Sequence, residues 1–200
     1  LHRCEALVLT EAQQASISRP SQIRFEILQR SLHRLAVEIR RVLLVDEQAA
    51  RLKLIHGDVL STETAKSDTT LATNFSYYIF KTREDVRKYF EVVHAGLVDD
   101  GLFILDAYGG SDSYLEMTED RDLDGFTYTW DQNYFDPITG DVVNHIHFKF
   151  PDGTKIKKAF TYEWRLWTLP EIKEILLEAG FSDTVVYWEG TEEETGEGDG

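Results

Sequence analysis

The chain has 200 residues, of which 42% are apolar and 12% aromatic, enough for one folded domain with a real core. A formal net charge of −15 and a pI near 4.7 argue against nucleic acid or an anionic membrane as partner, because both select a basic surface. One cysteine, Cys4, allows no internal disulfide, and no apolar run reaches the ~18 residues that cross a bilayer, so a cytoplasmic protein is expected.

The apolar run at residues 6–9 is too short for a secretory signal. The chain opens on Leu1 and its single Met is Met117, so residue 1 is either an unusual start or not the natural N-terminus. Residues 1–50 contain no Gly, Lys, Tyr or Trp, and seven Arg against six acidic residues give them a net of +1. The remaining 14 basic and 30 acidic residues give 51–200 a net of −16, so the two parts differ in character. Ile23, Ile27, Leu28, Leu32, Leu35, Ile39, Val42 and Leu43 recur at helical spacing, and residues 1–45 read as an atypical helical leader.

From there the pattern changes. Residues 51–55 read as a short strand that runs into Gly57-Asp58-Val59, and residues 61–70 as a polar loop. The stretch 71–110 organises the chain: a short buried strand ending at Asn74, an amphipathic helix, and a second buried strand over 101–107 that runs into Asp106 and Gly109-Gly110. Thr82 is placed to cap the helix, with Asp85 three residues on; Val86, Tyr89, Phe90, Val93 and Leu97 form its apolar stripe. Strand, helix and strand in this order predict a parallel βαβ unit, and ligands of such sheets sit beyond the carboxyl ends of the strands. The loops that begin at Asn74 and Asp106 fall there.

Residues 111–124 are polar and acidic and read as a lid or short helix. Alternation over 126–135, 142–150 and 155–167, with turns at Asp136-Pro137 and Pro151-Asp152-Gly153, predicts a three-stranded antiparallel meander. Thr168 and Glu171 form a capping box for a last helix, with Pro170 in its first turn and Gly180 just past its end. A strand over 184–188 follows, and the acidic, Gly-rich residues 191–200 read as a disordered tail.

This order of parts resembles the C-terminal two-thirds of a class I S-adenosylmethionine-dependent methyltransferase, over about residues 50–190. The resemblance rests on the Gly57-Asp58-Val59 turn, on NFSYYIF, DDGLFILDAYGG and FTYTWDQNYFDPITGDVVNHIHFKFPDG, and on WRLWTLPEIKEILLEAGF before the last strand. It implies an α/β, Rossmann-like, mostly parallel sheet over 46–190, with the antiparallel insertion at 125–167 as a substrate cover similar to that of sugar and amine N-methyltransferases. The family's Gly-rich loop has no counterpart, because no glycine precedes Gly57. Nothing apolar after Trp188 supplies the strand that the family inserts between its fifth and sixth. The sheet is therefore expected to be incomplete at both ends, its open edges leave a homodimer open, and residues 1–45 are expected not to be the family's native N-terminus.

The resemblance further implies methyl transfer from S-adenosylmethionine to a small-molecule acceptor. It places Asp58 and Val59 against the adenine, and Asn74, Phe75, Ser76 and Tyr77 around the methionine moiety and the reaction centre. Tyr77 and His147 are the candidate catalytic groups, and Tyr78, Asp106, Tyr108, Trp130 and Arg165 the candidate substrate contacts. His145 and His147 share one strand face, opposite Ile146 and Phe148, with no third metal ligand evident nearby, so no metal is expected there. Two rivals stand beside this reading. One is a non-catalytic remnant or interaction module. The other is an acidic calcium-binding protein, because Asp120, Asp122, Asp124, Gly125 and Asp131 occupy positions 1, 3, 5, 6 and 12 of an EF-hand loop. The alternating residues that follow Gly125 read as strand where an EF-hand needs helix.

Overall fold

The computed structural model describes residues 5–10, 55 and 57–187. The helix expected at 23–45, all but Ile55 of the strand expected at 51–55, and the tail at 191–200 lie outside them. The chain divides into one unit of Leu1–Ser16 with Glu63–Gly200 and another of Ile17–Thr62.

In the larger unit, β2 (Ser67–Ala72), α1 (Arg83–Ala95) and β3 (Leu97–Ala107) form the expected βαβ unit, with β2 and β3 parallel and adjacent. The Thr82 hydroxyl oxygen accepts from the Asp85 amide at 3.1 Å and its hydroxyl donates to the Asp85 carboxylate at 2.6 Å, so α1 starts where its cap allows. Its buried face, Val86, Tyr89, Phe90 and Val93, meets Phe103 of β3, with the Phe90 and Phe103 rings 5.7 Å apart. Asp99-Asp100-Gly101 does not precede the strand but lies within it as a bulge, because Ser67 pairs with Leu97 and Thr69 with Leu102. Only glycine fits at Gly101, where a Cβ would lie 2.9 Å from both Leu97 Cβ and Val98 O. The strand expected at the start of the unit lies earlier than the sequence suggests and is less buried. Leu71 is 64% exposed, because β2 is the outermost of the four described strands of this sheet.

The sheet has the order β2-β3-β1-β8 and is parallel throughout. β8 (Asp183–Tyr187) is the strand expected after the last helix. β1 (Glu5–Thr10) was not legible in the sequence, and it runs between β3 and β8 with Glu5 opposite both Leu102 and Asp183. The slot between β3 and β8 is thus filled by residues 5–10. The last helix, α2 (Leu169–Glu178), carries the expected capping box, and Ile172, Ile175 and Leu176 are fully buried. Gly180 has φ of +107°, and a Cβ there would meet the His94 ring at 3.2 Å.

The second sheet corrects the expectation of three strands. It has four, in the antiparallel order β4 (Met117–Leu123), β5 (Phe126–Phe135), β6 (Asp141–Lys149) and β7 (Lys155–Arg165). Only a 3-10 turn, Ser111–Tyr114, precedes β4 in the stretch read as a lid or helix. Every residue of β4 is exposed, so no apolar alternation marks it; it is held by its ladder to β5, Met117 opposite Gln132 through Leu123 opposite Phe126. The EF-hand-like stretch is this hairpin rather than a loop around a cation. The Asp120 and Asp122 carboxylates accept from the Thr129 and Thr127 hydroxyls, and no metal-ligating cluster of three occurs among the described residues. Nor is any described helix long and apolar enough to cross a membrane.

Candidate active site

At the carboxyl end of β2 the chain makes an unusual turn. Asn74 and Phe75 both take left-handed backbone conformations, with φ of 64° and 51°, at a cost of about 1–3 kcal/mol each for residues with side chains. The carboxyl end of β3 supplies the compensation. Asp106 is 2% exposed, and its two carboxylate oxygens accept from the Asn74 amide at 2.5 Å and the Phe75 amide at 2.8 Å. Two adjacent N–H groups thus cradle one carboxylate. Burial pushes the Asp106 carboxyl up from 3.8 to about 6, and the two amide hydrogen bonds hold it from rising further.

The next residues lock this turn from below. The Tyr77 hydroxyl donates to the Asp106 carbonyl at 2.9 Å. Tyr78, fully buried, donates to the Tyr108 carbonyl at 2.7 Å and accepts from the Tyr108 amide at 3.2 Å. Burial raises both phenols well above their ordinary range, so they are neutral donors rather than bases at any physiological pH. Asn74 and Ser76 are exposed while Phe75, Tyr77 and Tyr78 are buried. The loop therefore presents polar groups outward and anchors itself with rings.

One face of the antiparallel sheet lies over those rings. Register places Tyr128, Trp130 and Gln132 of β5, Val142, Asn144, Ile146 and Phe148 of β6, and Phe160, Tyr162 and Trp164 of β7 on the same side. Phe75 is 6.0 Å from Trp164 and 5.7 Å from Tyr108; Tyr108 is 6.0 Å from Trp130, and Trp130 6.1 Å from Tyr162. Trp130 and Tyr162 are half-buried, and burial raises the Tyr162 phenol above its ordinary range. Gln132 latches the two parts. Its Oε1 accepts from the Tyr108 hydroxyl and, at 3.3 Å, from Trp130 Nε1, while its Nε2 donates to the carbonyls of Asp112 at 2.8 Å and Leu115 at 2.7 Å. Every hydrogen-bonding position of that amide is used.

The structure thus brings together Asn74, Phe75, Tyr77, Tyr78, Asp106, Tyr108 and Trp130, with Ser76 exposed on the same loop. It does not bring His147 to them, because the period of two puts His147 on the opposite face of the sheet. There its Nδ1 accepts from the Lys158 amide at 2.8 Å and its Nε2 lies 3.0 Å from an Asp131 oxygen, closing the bulge at which Lys158 has φ of 50°. His145, on the same face, bonds Thr161 at 2.9 Å; burial and then Lys158 lower its pKa, against the pull of Asp131. Arg165 also faces away from the group, stacked 3.6 Å over the Trp167 ring and paired with Glu171 at 3.0 Å. Asp58 and Val59 belong to the Ile17–Thr62 unit. They are exposed in a turn in which the Asp58 side chain accepts from the Leu60 amide at 3.0 Å and its carbonyl from the Thr62 amide at 2.8 Å. Sequence reasoning missed Gln132, Asn144 and Tyr162 as members of the group. Their signal was two amides on an otherwise apolar alternating face.

No family model matches the sequence, and no curated protein does. Solved structures do. The CcbJ methyltransferase from Streptomyces caelestis is similar with a TM-score of 0.63 at 12% identity, over 88% of this chain and 72% of that one. CalS10 from Micromonospora echinaspora, described as an amino pentose methyltransferase with S-adenosylmethionine bound, is similar with a TM-score of 0.57 at 13% identity, over 98% and 81% of the two chains. An S-adenosylmethionine-dependent methyltransferase from Clostridium acetobutylicum gives 0.55 at 17% identity, over 88% and 72%. The fold is that of the S-adenosylmethionine-dependent methyltransferases.

Proposed function

We propose that this chain transfers a methyl group from S-adenosylmethionine to a small-molecule acceptor. The observation that carries the reading is the Asn74–Phe75 turn, held in a costly conformation by buried Asp106 at the carboxyl edge of the parallel sheet and faced by the aromatic side of the second sheet. Strain maintained in this way is a mark of functional loops. Asn74 and Ser76, polar, exposed and rigidly based, fit the methionine end of the cofactor. The cofactor, when bound, supplies an electrophilic methyl group.

What the chain contributes is position and dryness. The turn fixes the methionine side, Trp130 and Tyr162 wall the acceptor side, and Phe75, Tyr108 and Trp164 exclude water beneath. The description of CalS10 as an amino pentose methyltransferase supports a small acceptor rather than a macromolecule.

A non-catalytic remnant is the second reading. Calorimetric titration with S-adenosylhomocysteine separates the two. Micromolar binding that weakens at least tenfold in Asp106→Ala is the expected result; a folded chain that binds nothing would establish the remnant.

A further inference from the structure

Asn144 has no role in the packing described so far. It is 1% exposed, and its side-chain amide nitrogen is buried without a hydrogen-bond partner. On the ladder it stands between Gln132 and Tyr162, on the face that carries Trp130 and Trp164. Gln132 cannot serve it, since both ends of that amide are already committed. A buried N–H donor left unpaired destabilises a fold, so its retention in an aromatic wall calls for a partner that arrives from outside.

We propose that Asn144 is the hydrogen-bond anchor of the acceptor site, and that the site takes an uncharged ring bearing a hydroxyl or ether oxygen. The inference rests on the methyl-transfer reading for its location. The chemistry of the ligand follows from the donor. An N–H needs a lone pair, which an ammonium group lacks. A carboxylate or phosphate has lone pairs but would be desolvated on a face where β5, β6 and β7 place no charged side chain, in a chain of net charge −15. The charges on this face are Glu119 and Arg121 of β4, exposed and paired with each other at 3.0 Å. A neutral oxygen meets the amide without that cost, and the half-buried rings of Trp130 and Tyr162 receive the C–H face of the ring that carries it.

The test uses three six-membered rings that differ in charge: trans-1,2-cyclohexanediol, cyclohexylamine and cyclohexanecarboxylate. Each is titrated into the 15N-labelled chain while the Asn144 side-chain NH2 resonances are followed. The diol is expected to move them, and the carboxylate is not. The melting temperature of Asn144→Leu, close in shape and without the donor, is expected to rise by a few degrees, while its affinity for the diol falls at least tenfold. A carboxylate response as strong as that of the diol, resonances unmoved by any probe, or a lower melting temperature for Asn144→Leu would overturn the proposal. The measurement needs no cofactor. A diol response in a chain that ignores S-adenosylhomocysteine would keep the anchor and remove the methyl-transfer reading.

Discussion

Replacing Asp106 with Asn tests the centre of the argument, because two opposed effects can be separated. The parent carboxyl is raised from 3.8 to about 6 by burial. The folded chain therefore holds a proton more tightly than the unfolded one, and this group's favourable contribution, full below about pH 4, is lost as pH rises through 6. Roughly two units at 1.36 kcal/mol each make that about 3 kcal/mol between pH 4 and neutrality. Asp106→Asn abolishes this slope. It also turns an amide N–H toward one of the two backbone N–H groups that the carboxylate now serves, at a loss of about 1.5–3 kcal/mol for a charge-assisted hydrogen bond. At pH 7 the two terms nearly cancel, so global stability should stay within about 2 kcal/mol of the parent. The local result should be large, since the left-handed pair Asn74–Phe75 loses half its clamp. Urea denaturation at pH 4.5 and 7 measures the first effect, and amide exchange at Asn74 and Phe75 the second. An unchanged pH slope in the variant, or unchanged protection of both amides, would refute the reasoning.

Three further outcomes follow from particular contacts. Gly180→Ala should cost about 1–2 kcal/mol, because φ of +107° and a His94 ring 3.2 Å from the new Cβ both oppose it; thermal unfolding reads the loss. Tyr78→Phe should cost about 1–3 kcal/mol in chemical denaturation, since it removes the buried hydroxyl that bonds both the amide and the carbonyl of Tyr108. Thr168→Ala should cost about 1 kcal/mol through loss of the capping box, with a smaller effect in Thr168→Ser.

What the sequence revealed depended on how each element is stabilised. Thr82, Thr168, Glu171 and Gly180 act through local backbone geometry, so both helix starts and the end of α2 were readable, whereas Leu97, expected on the α1 stripe, begins β3 instead. The βαβ unit and the meander were readable because their burial repeats with the period of the element. β4 was not, since a strand of seven exposed residues is held by pairing alone and leaves no apolar rhythm. β1 was invisible for the opposite reason, because its partners lie far along the chain. Asn74, Phe75 and Asp106 drew attention through their place at strand ends, but the clamp that joins them did not, because it depends on two left-handed residues that no pattern announces. His147 shows the cost of a one-residue step along a strand: chemistry suggested a base, and alternation turned it to the other face.

The position of β1 sets the order in which the fold can be completed. Glu5 stands opposite Asp183, so an early strand of this chain is flanked on one side by a late one. During synthesis β1 can find β3 only after α1 and most of β3 have emerged, and its second edge stays open until α2 and β8 follow. Contacts of such long sequence separation form slowly. The interval between the emergence of β3 and that of β8 is therefore when a chaperone, or a neighbouring copy of the chain, has its opening at the free edge of β1.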